Sequence, residues 1–245
     1  MIAEPATQQR LLQLAEVDTE LNRIDHRRRT MPELAEIIEG ERTVQACKDT
    51  VATVQAGAGD LDRDIARLER DVDGVRSRVD RDQGLLAGGG VGAKQAVDLQ
   101  HELDTLARRQ GNLEDELLEI MEQREATESN LQNAQVELAT AEQALADVAT
   151  RRDSTLADLD AAEAGRRRDR ESIAADIPAD LLALYDKLRE KNGTGAALLR
   201  ARRCGACRLE VDRSELSAIK NAAPNEVLRH EECGVIMVRT SESGL

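Results

Sequence analysis

The 245-residue sequence contains no phenylalanine and no tryptophan, and Tyr185 is its single tyrosine. Large aromatic side chains supply much of the apolar area that globular cores bury, so their shortage argues against a compact core of normal size. Charged residues make up 33% of the chain. This composition is typical of long helices that bury only a narrow apolar stripe.

Long apolar runs and an excess of positive charge are also missing. No stretch reaches the roughly 18 apolar residues that a membrane span needs, and residues 1–9 lack the basic-then-apolar pattern of a secretory signal. We therefore expect a cytoplasmic protein without a membrane segment, whose four cysteines stay reduced. The 34 basic and 48 acidic residues give a net charge of −14, which disfavours polyanionic partners such as nucleic acids.

The strongest positive signal is an apolar repeat with alternating spacings of three and four residues. Between Val44 and Leu86 it selects thirteen positions, of which only Asp82 is polar. From Leu99 to Val148 the same spacing continues, with polar residues at Gln110, Arg124 and Thr127. Such a repeat keeps one seam of a helix against a partner helix, and it predicts a left-handed coiled coil.

A glycine-rich segment separates the two seams. Four glycines fall within residues 88–92, and each costs about 1 kcal/mol relative to alanine in a helix, so we predict a turn near 87–93. A phosphate-binding loop is disfavoured because no strand precedes it and no Lys-Ser/Thr follows. Pairing Leu86 with Leu99 sets an antiparallel register in which paired residue numbers sum to about 185. Gly57 and Gly59 predict a bend.

Shorter helices are predicted on both sides of this hairpin. Residues 6–29 form a first helix that should pack beside residues 159–173, with a break at 30–33 where Pro32 restarts the helix. Pro178 opens a last helix that ends at Gly193, and beyond it the helical period ends. We predict a hairpin domain at 1–175, a connecting helix at 176–192 and a metal-binding domain at 193–245.

Two pairs of candidate metal ligands lie in this last region. Each pair, Cys204/Cys207 and His230/Cys233, is separated by two residues, a spacing that forms a tight turn and points both side chains at one ion. Gly205 and Gly234 should give these turns backbone freedom, and residues 196–199, 227–228 and 235–238 should form strands. We predict a structural Zn²⁺, because four protein ligands leave no open position for a catalytic water.

Other interpretations of the cysteines and histidines are weaker. A redox CxxC pair normally starts a helix within a βαβ fold, which this sequence does not predict. His230 as a plain surface residue would leave a three-cysteine site. Cys47 lies at a seam position, where we expect a small buried side chain. We predict no role for His26 and His101.

Arginines crowd the first ligand pair, at positions 200, 202, 203 and 208. From Arg200 onward eight basic residues stand against seven acidic ones, so this region differs in charge from the rest of the chain. Arg200, Arg202, Arg203 and Arg208 would either offset the thiolates of the metal site or bind the phosphates or acidic surface of a partner.

The C-terminal motifs resemble those of a bacterial family of zinc-ribbon proteins with an N-terminal coiled-coil hairpin. The similar parts are residues 177–185, the CxxC pair at 204–207 and the ending Cys233-Gly-Val-Ile-Met-Val-Arg239. Family members usually have four cysteines, and His230 stands here where the third would be. The resemblance implies a role in binding protein or RNA, in gene regulation or secretion, without catalysis.

Together these patterns predict a mainly α fold: a long antiparallel coiled-coil hairpin followed by a small C-terminal zinc ribbon of β-strands. No set of nucleophile, base and orienting acid is present, so we do not expect an enzyme. The favoured function is a zinc-binding adaptor that docks protein partners, and a second copy of the chain is a further candidate partner. The alternative is a nucleic-acid-binding regulator that uses the four arginines, although it lacks the aromatic rings on which single strands stack.

Overall fold

The computed structural model describes all residues 1–245, most of them in helices. The four long helices are α1 Pro5–Thr30, α2 Pro32–Ala87, α3 Ala93–Ala175 and α4 Ala179–Asn192. The C-terminal elements are β1 Ala196–Arg200, β2 Arg203–Cys204, α5 Arg213–Asn221, β3 Leu228–Arg229 and β4 Ile236–Val238. The predicted fold class, long helices followed by a small strand-containing region, is confirmed. None of the helices combines the length and the apolarity that crossing a bilayer requires.

The chain divides into two compact units. Residues 35–149 form the hairpin unit, and residues 1–34 with 150–245 form the root unit. This division does not test the predicted domain boundaries at residues 175 and 192, which stay a prediction.

Within the hairpin unit, the residues of both predicted seams are buried or half-buried. Leu68 and Val72 on α2 are each 3% exposed, and Ala134 on α3 is 6% exposed. The glycine-rich residues 88–92 lie between α2 and α3, as predicted, and α2 runs without interruption through Gly57 and Gly59. The apolar repeat therefore identified the packed faces of both helices.

Contacts between α2 and α3 confirm the antiparallel register. A side chain added at Gly40 would meet Leu145 Cδ1 at 3.0 Å, and these two residue numbers sum to 185. Ion pairs between the two helices follow the same register within about five residues: Lys48–Glu142 at 3.5 Å, Asp62–Arg124 at 2.7 Å, Arg76–Glu114 at 2.6 Å, and Arg78–Glu102. These pairs are largely exposed, so each contributes little stability.

The polar seam residues Arg124 and Asp82 differ in whether their side chains find hydrogen-bond partners. Arg124 reaches Asp62 at 2.7 Å and Glu128 at 2.8 Å, and these hydrogen bonds raise the pKa of its guanidinium. Asp82, in contrast, is only 9% exposed, and its Oδ2 has no hydrogen-bond partner. A buried carboxylate oxygen without a partner costs free energy, so Asp82 weakens the seam.

In the root unit, α1 packs against the C-terminal part of α3 as predicted. Arg170 Nε donates to Asp18 Oδ1 at 2.8 Å, Arg166 pairs with Glu20 at 2.6 Å, and Arg28 donates to Glu163 at 2.8 Å. The predicted break is also confirmed, because α1 ends at Thr30 and α2 begins at Pro32. The register of the hairpin unit thus recurs in these helices.

The core of the root unit surrounds the single tyrosine. Tyr185 is fully buried on α4, with Leu11, Leu14 and Leu181 in the same cluster. Its hydroxyl donates to Asp18 Oδ2 at 2.7 Å, and Asp18, itself 1% exposed, also pairs with Arg170 and Arg189. Burial and the Asp18 carboxylate raise the pKa of the Tyr185 phenol, which therefore stays protonated.

A four-stranded sheet with the order β2-β1-β4-β3 closes this core. Strands β1 and β4 are parallel, with Ala196 opposite Ile236, while β2 and β3 pair antiparallel at the two edges. Ile236 and Val238 face the Tyr185 cluster, and Met237 faces a second cluster that contains Leu199, Val211 and Ile219. The sheet therefore separates the helical core from the region of the metal-ligand motifs.

The sequence shows no helical period beyond Gly193, but a short helix, α5, spans Arg213–Asn221. Asp212 accepts the backbone N–H groups of Ser214 and Glu215 and so caps the helix. An acidic residue followed three positions later by Glu is a recognised start signal. The helix is only nine residues long, too short for the periodicity that revealed the other helices.

Asp82 gives a prediction about the hairpin unit. Replacing it by leucine should raise the free energy of unfolding by about 1 kcal/mol or more, because an unpaired buried carboxylate becomes an apolar seam residue. Thermal unfolding followed by circular dichroism would measure the change. Asp80→Leu is the matched control at an exposed position, and equal stabilisation by both variants would contradict the assignment.

Candidate metal centre

Two strand pairs present the four predicted ligands to one another. Cys204 ends β2, and Cys207 follows in the turn after it, whereas residues 230–233 lie between β3 and β4. Because β1 joins β2 to β4 within the sheet, the two turns lie side by side. We call residues 196–245, which contain both turns, the head.

The four side chains form one compact cluster, with all ligand atoms within 4.8 Å of one another. Cys204 Sγ lies 3.9 Å from Cys233 Sγ, while His230 Nδ1 lies 3.5 Å from Cys207 Sγ and 3.2 Å from Cys233 Sγ. Tetrahedral zinc with Zn–S of about 2.3 Å and Zn–N of about 2.0 Å places its ligand atoms roughly 3.5–3.8 Å apart. The cluster therefore fits a tetrahedral metal ion.

Both ligand turns share one backbone pattern. Arg208 N donates to Cys204 O at 2.8 Å, and Gly234 N donates to His230 O at 2.7 Å. The residue after each second ligand has a positive φ, 64° at Arg208 and 74° at Gly234. Gly234 thus has the predicted role, but in the first turn the unusual conformation falls on Arg208.

Position 205 requires a glycine, but for a reason other than the predicted backbone freedom. It has no positive φ, but a side chain at this position would meet Leu198 O at 2.8 Å. Gly205 N also donates to the same carbonyl at 2.9 Å. The glycine is needed because the turn crosses close to β1, not because the turn needs backbone freedom.

Glu215 on α5 lies beside His230 at the edge of the cluster. The sequence analysis did not predict a role for this residue. Its side chain is buried, with Oε2 3.9 Å from His230 Nε2 and Oε1 accepting the Glu231 backbone N–H at 3.0 Å. Carboxylates beside the second ring nitrogen of a metal-bound histidine help to orient its imidazole, and at 3.9 Å Glu215 acts on His230 through its charge rather than through a direct hydrogen bond. The cap at Asp212 was the available signal, because it starts the helix that carries Glu215.

Burial changes the acidity of one thiol of the cluster. Burial first, and the neighbouring Cys204 and Cys207 to a smaller extent, raise the pKa of Cys233 to about 11. Without a metal this thiol is therefore protonated at neutral pH, and metal binding must displace its proton. Apparent metal affinity should accordingly fall as the pH is lowered.

The predicted partner-binding arginines all lie on the exposed surface of the head. Arg200 pairs with Glu242 at 3.0 Å, Arg203 pairs with Glu210 at 3.8 Å, and Arg202 Nε donates to Gly244 O at 3.0 Å. Arg208 makes no ion pair. No side chain of these four arginines hydrogen-bonds to a side chain of the metal cluster.

The remaining cysteine and histidines lie apart from the cluster. Cys47 is half-buried on α2 rather than fully buried. His26 on α1 and His101 on α3 are exposed.

Comparison with known proteins gives the class to which this architecture belongs. Residues 14–193 match the CT398-like coiled coil hairpin domain, and residues 203–237 match a C4-type zinc ribbon domain. The chain therefore belongs to the family of CT398-like coiled-coil hairpin proteins with a C-terminal zinc ribbon. In the place of a C4 ligand set, the candidate site has three of the chain's four cysteines together with His230.

The relatives extend over nearly the whole chain. An uncharacterized protein of Mycobacterium tuberculosis, Rv2229c, is 42% identical over 98% of both chains. A solved structure from Mycobacterium smegmatis is 39% identical, covers 98% of this chain and 100% of its own, and superposes with a TM-score of 0.88. The structure of CT398 from Chlamydia trachomatis matches 95% of this chain and 97% of its own length, at 13% identity and with a TM-score of 0.68. At this identity the likeness shows the fold alone.

A first prediction concerns the ligands. Cys204→Ser should abolish stoichiometric zinc and unfold the head, because its strands have only two to five residues and small metal domains need their ion to fold. The helical circular dichroism should change little, because α1–α4 hold most of the helix. Metal analysis and limited proteolysis would measure both effects, with Cys47→Ser as the control that keeps its zinc. Collapse of the helical signal together with the head would contradict the prediction.

A second prediction concerns Glu215. Glu215→Ala should lower zinc affinity roughly tenfold to a hundredfold, the usual effect of removing an outer-sphere carboxylate. Competition with a chromogenic chelator would measure the affinity. The exposed Glu210 provides the control variant Glu210→Ala, which should bind zinc as the unmodified protein does. Unchanged affinity in Glu215→Ala would show that His230 is oriented without this carboxylate.

Proposed function

We propose that the protein is a non-enzymatic adaptor whose zinc-stabilised head docks a protein partner, while the hairpin unit provides a further docking surface. The observation that carries this proposal is the closed set of four protein donors, of which Cys204 and His230 are each 1% exposed. A metal held by four protein ligands has no position for water or substrate, so the ion stabilises the fold rather than taking part in a reaction.

The donor set supports zinc as the metal. Three thiolates and one imidazole in a tetrahedral arrangement favour zinc over the harder cations, which prefer oxygen ligands. Ligation by thiolates needs reduced cysteines, which supports the cytoplasm as the working compartment. Gene regulation or secretion, the roles implied by the family resemblance, are the settings that we propose.

The hairpin surface supports protein partners. On α3, Leu118 is 59% exposed and Met121 is 49% exposed, and these side chains lie on one helical face at a spacing of three residues. Residues 35–149 carry 25 acidic and 12 basic residues. An acidic helical surface with neighbouring apolar side chains suits a basic, partly apolar protein segment.

A nucleic-acid partner is the second candidate, favoured by the exposed and unpaired Arg208. Against it, Arg200 and Arg203 already pair with Glu242 and Glu210. The excess of 13 negative charges on residues 35–149 would also repel a polyanion.

Affinity capture from native cells would test the adaptor function with the full-length chain as bait. We expect a defined protein partner that survives nuclease treatment, binds the unmodified protein and Cys47→Ser equally, and is lost with Cys204→Ser because that head no longer folds. Nucleic-acid binding that stays tight at about 0.2 M salt, where a few phosphate contacts are strongly weakened, and that requires Arg202 and Arg203 would contradict the adaptor function.

A further inference from the structure

A second feature of the head lies away from the metal cluster. A cleft of about 260 Å³ opens between α5, the β1–β2 turn and the last residues of the chain. Three cations and two leucines line it, and its main lining residues are Arg202, Arg213, Leu216, Ser217, Lys220 and Leu245.

Helix α5 has a buried face and an exposed polar face on opposite sides. Glu215 and Ile219 are buried against the rest of the head, at 7% and 3% exposure. Arg213, Ser217 and Lys220 are exposed and follow one another at spacings of four and three residues, which puts them on one helical face. The helix that supports the metal site thus presents a cationic face to the cleft.

The cations in the cleft have no acidic partners. Arg213 and Lys220 make neither an ion pair nor a side-chain hydrogen bond, and Arg202 uses only its Nε, which donates to Gly244 O. Among the other arginines of the head, Arg200 pairs with Glu242 and Arg239 donates to the carbonyls that end α5, while the unpaired Arg208 lies outside the cleft. The cleft therefore collects the unneutralised positive charge of this surface.

The position of Arg202 is fixed at a conformational cost. Ala201 and Arg202 form the two-residue β1–β2 turn with φ values of 46° and 62°, the left-handed conformation that such hairpin turns require and that residues with a side chain rarely adopt. Ala201 N donates to Glu242 O at 2.8 Å and Arg202 N to Ser243 O at 3.0 Å, and Ser243 is buried. These hydrogen bonds hold Arg202 in place beside the cleft.

We infer that this cleft binds an acidic peptide segment of a partner protein, with carboxylates on Arg202, Arg213 and Lys220 and an aliphatic side chain against Leu216 and Leu245. Charge complementarity selects the anionic ligand, because three cationic side chains line the cleft and none of them pairs with an acidic side chain. The leucines select a peptide over a nucleic-acid backbone, since phosphates and sugars offer no aliphatic side chain. This inference rests on the proposed adaptor function and assigns it a docking site.

The probe is a fluorescently labelled peptide of alternating glutamate and leucine. Its fluorescence anisotropy would report binding to the zinc-loaded full-length chain and so test the site. The double variant Arg213→Gln/Lys220→Gln should weaken binding about tenfold, because two charge contacts are lost. Lys191→Gln, which removes an exposed charge on α4 outside the cleft, should leave binding unchanged. Replacing glutamate by glutamine in the probe should abolish binding, and replacing leucine by serine should weaken it.

Three results would overturn the inference: no binding of the acidic peptide, equal weakening by Lys191→Gln, or preferential binding of a mixed-sequence oligonucleotide through Arg213 and Lys220. Zinc content and circular dichroism of each variant confirm that the head is intact, and the glutamine substitutions lie at exposed positions of α5. If these variants still capture the protein partner from cells, the adaptor function stands and only the cleft is excluded.

Discussion

The antiparallel pairing of two apolar seams is the constraint on which the helical structure depends. Once the short connection between Ala87 and Ala93 joins α2 to α3, each later residue of α3 has its partner on α2 fixed by the register, as the Gly40–Leu145 approach and the Asp62–Arg124 pair show. The same register continues where α1 meets the end of α3, through Asp18 and Arg170. A seam of small aliphatic residues can therefore order helices of 56 and 83 residues without aromatic side chains, because each layer adds a small burial of its own.

The core of the root unit contains a single aromatic side chain and a buried polar network. Its one tyrosine is fully buried, and its hydroxyl donates to Asp18, which also binds Arg170 and Arg189. A buried carboxylate is tolerated only when it is paired and hydrogen-bonded, and here three partners from α3 and α4 satisfy it. The polar group thus joins α1 to both helices and specifies one arrangement of the core, whereas the unpaired Asp82 has no such compensation.

The head brings together the four candidate ligands and the helix α5 that lies beside them. Strands β2 and β3 have two residues each, too few to hold the turns at 204–207 and 230–233 in place without further support. Helix α5 provides part of that support through Glu215, which approaches His230 and accepts the Glu231 N–H. Its opposite face carries Arg213 and Lys220 into the cleft. One short helix thus connects the metal centre with the surface where we propose that a partner binds.

The hairpin, its register, the breaks at Pro32 and Gly193 and the cluster of four candidate ligands could all be predicted from the sequence, because periodic burial and ligand spacing are local properties of the chain. The sequence did not reveal α5, the burial of Glu215 and Asp18 or the positive φ at Arg208. Helix α5 is too short to show a period, and Glu215 and Asp18 are charged residues whose burial depends on partners distant in sequence, His230 and Tyr185. Only the folded structure reveals these features, because a carboxylate becomes buried beside a histidine or in a core only after remote segments have folded around it.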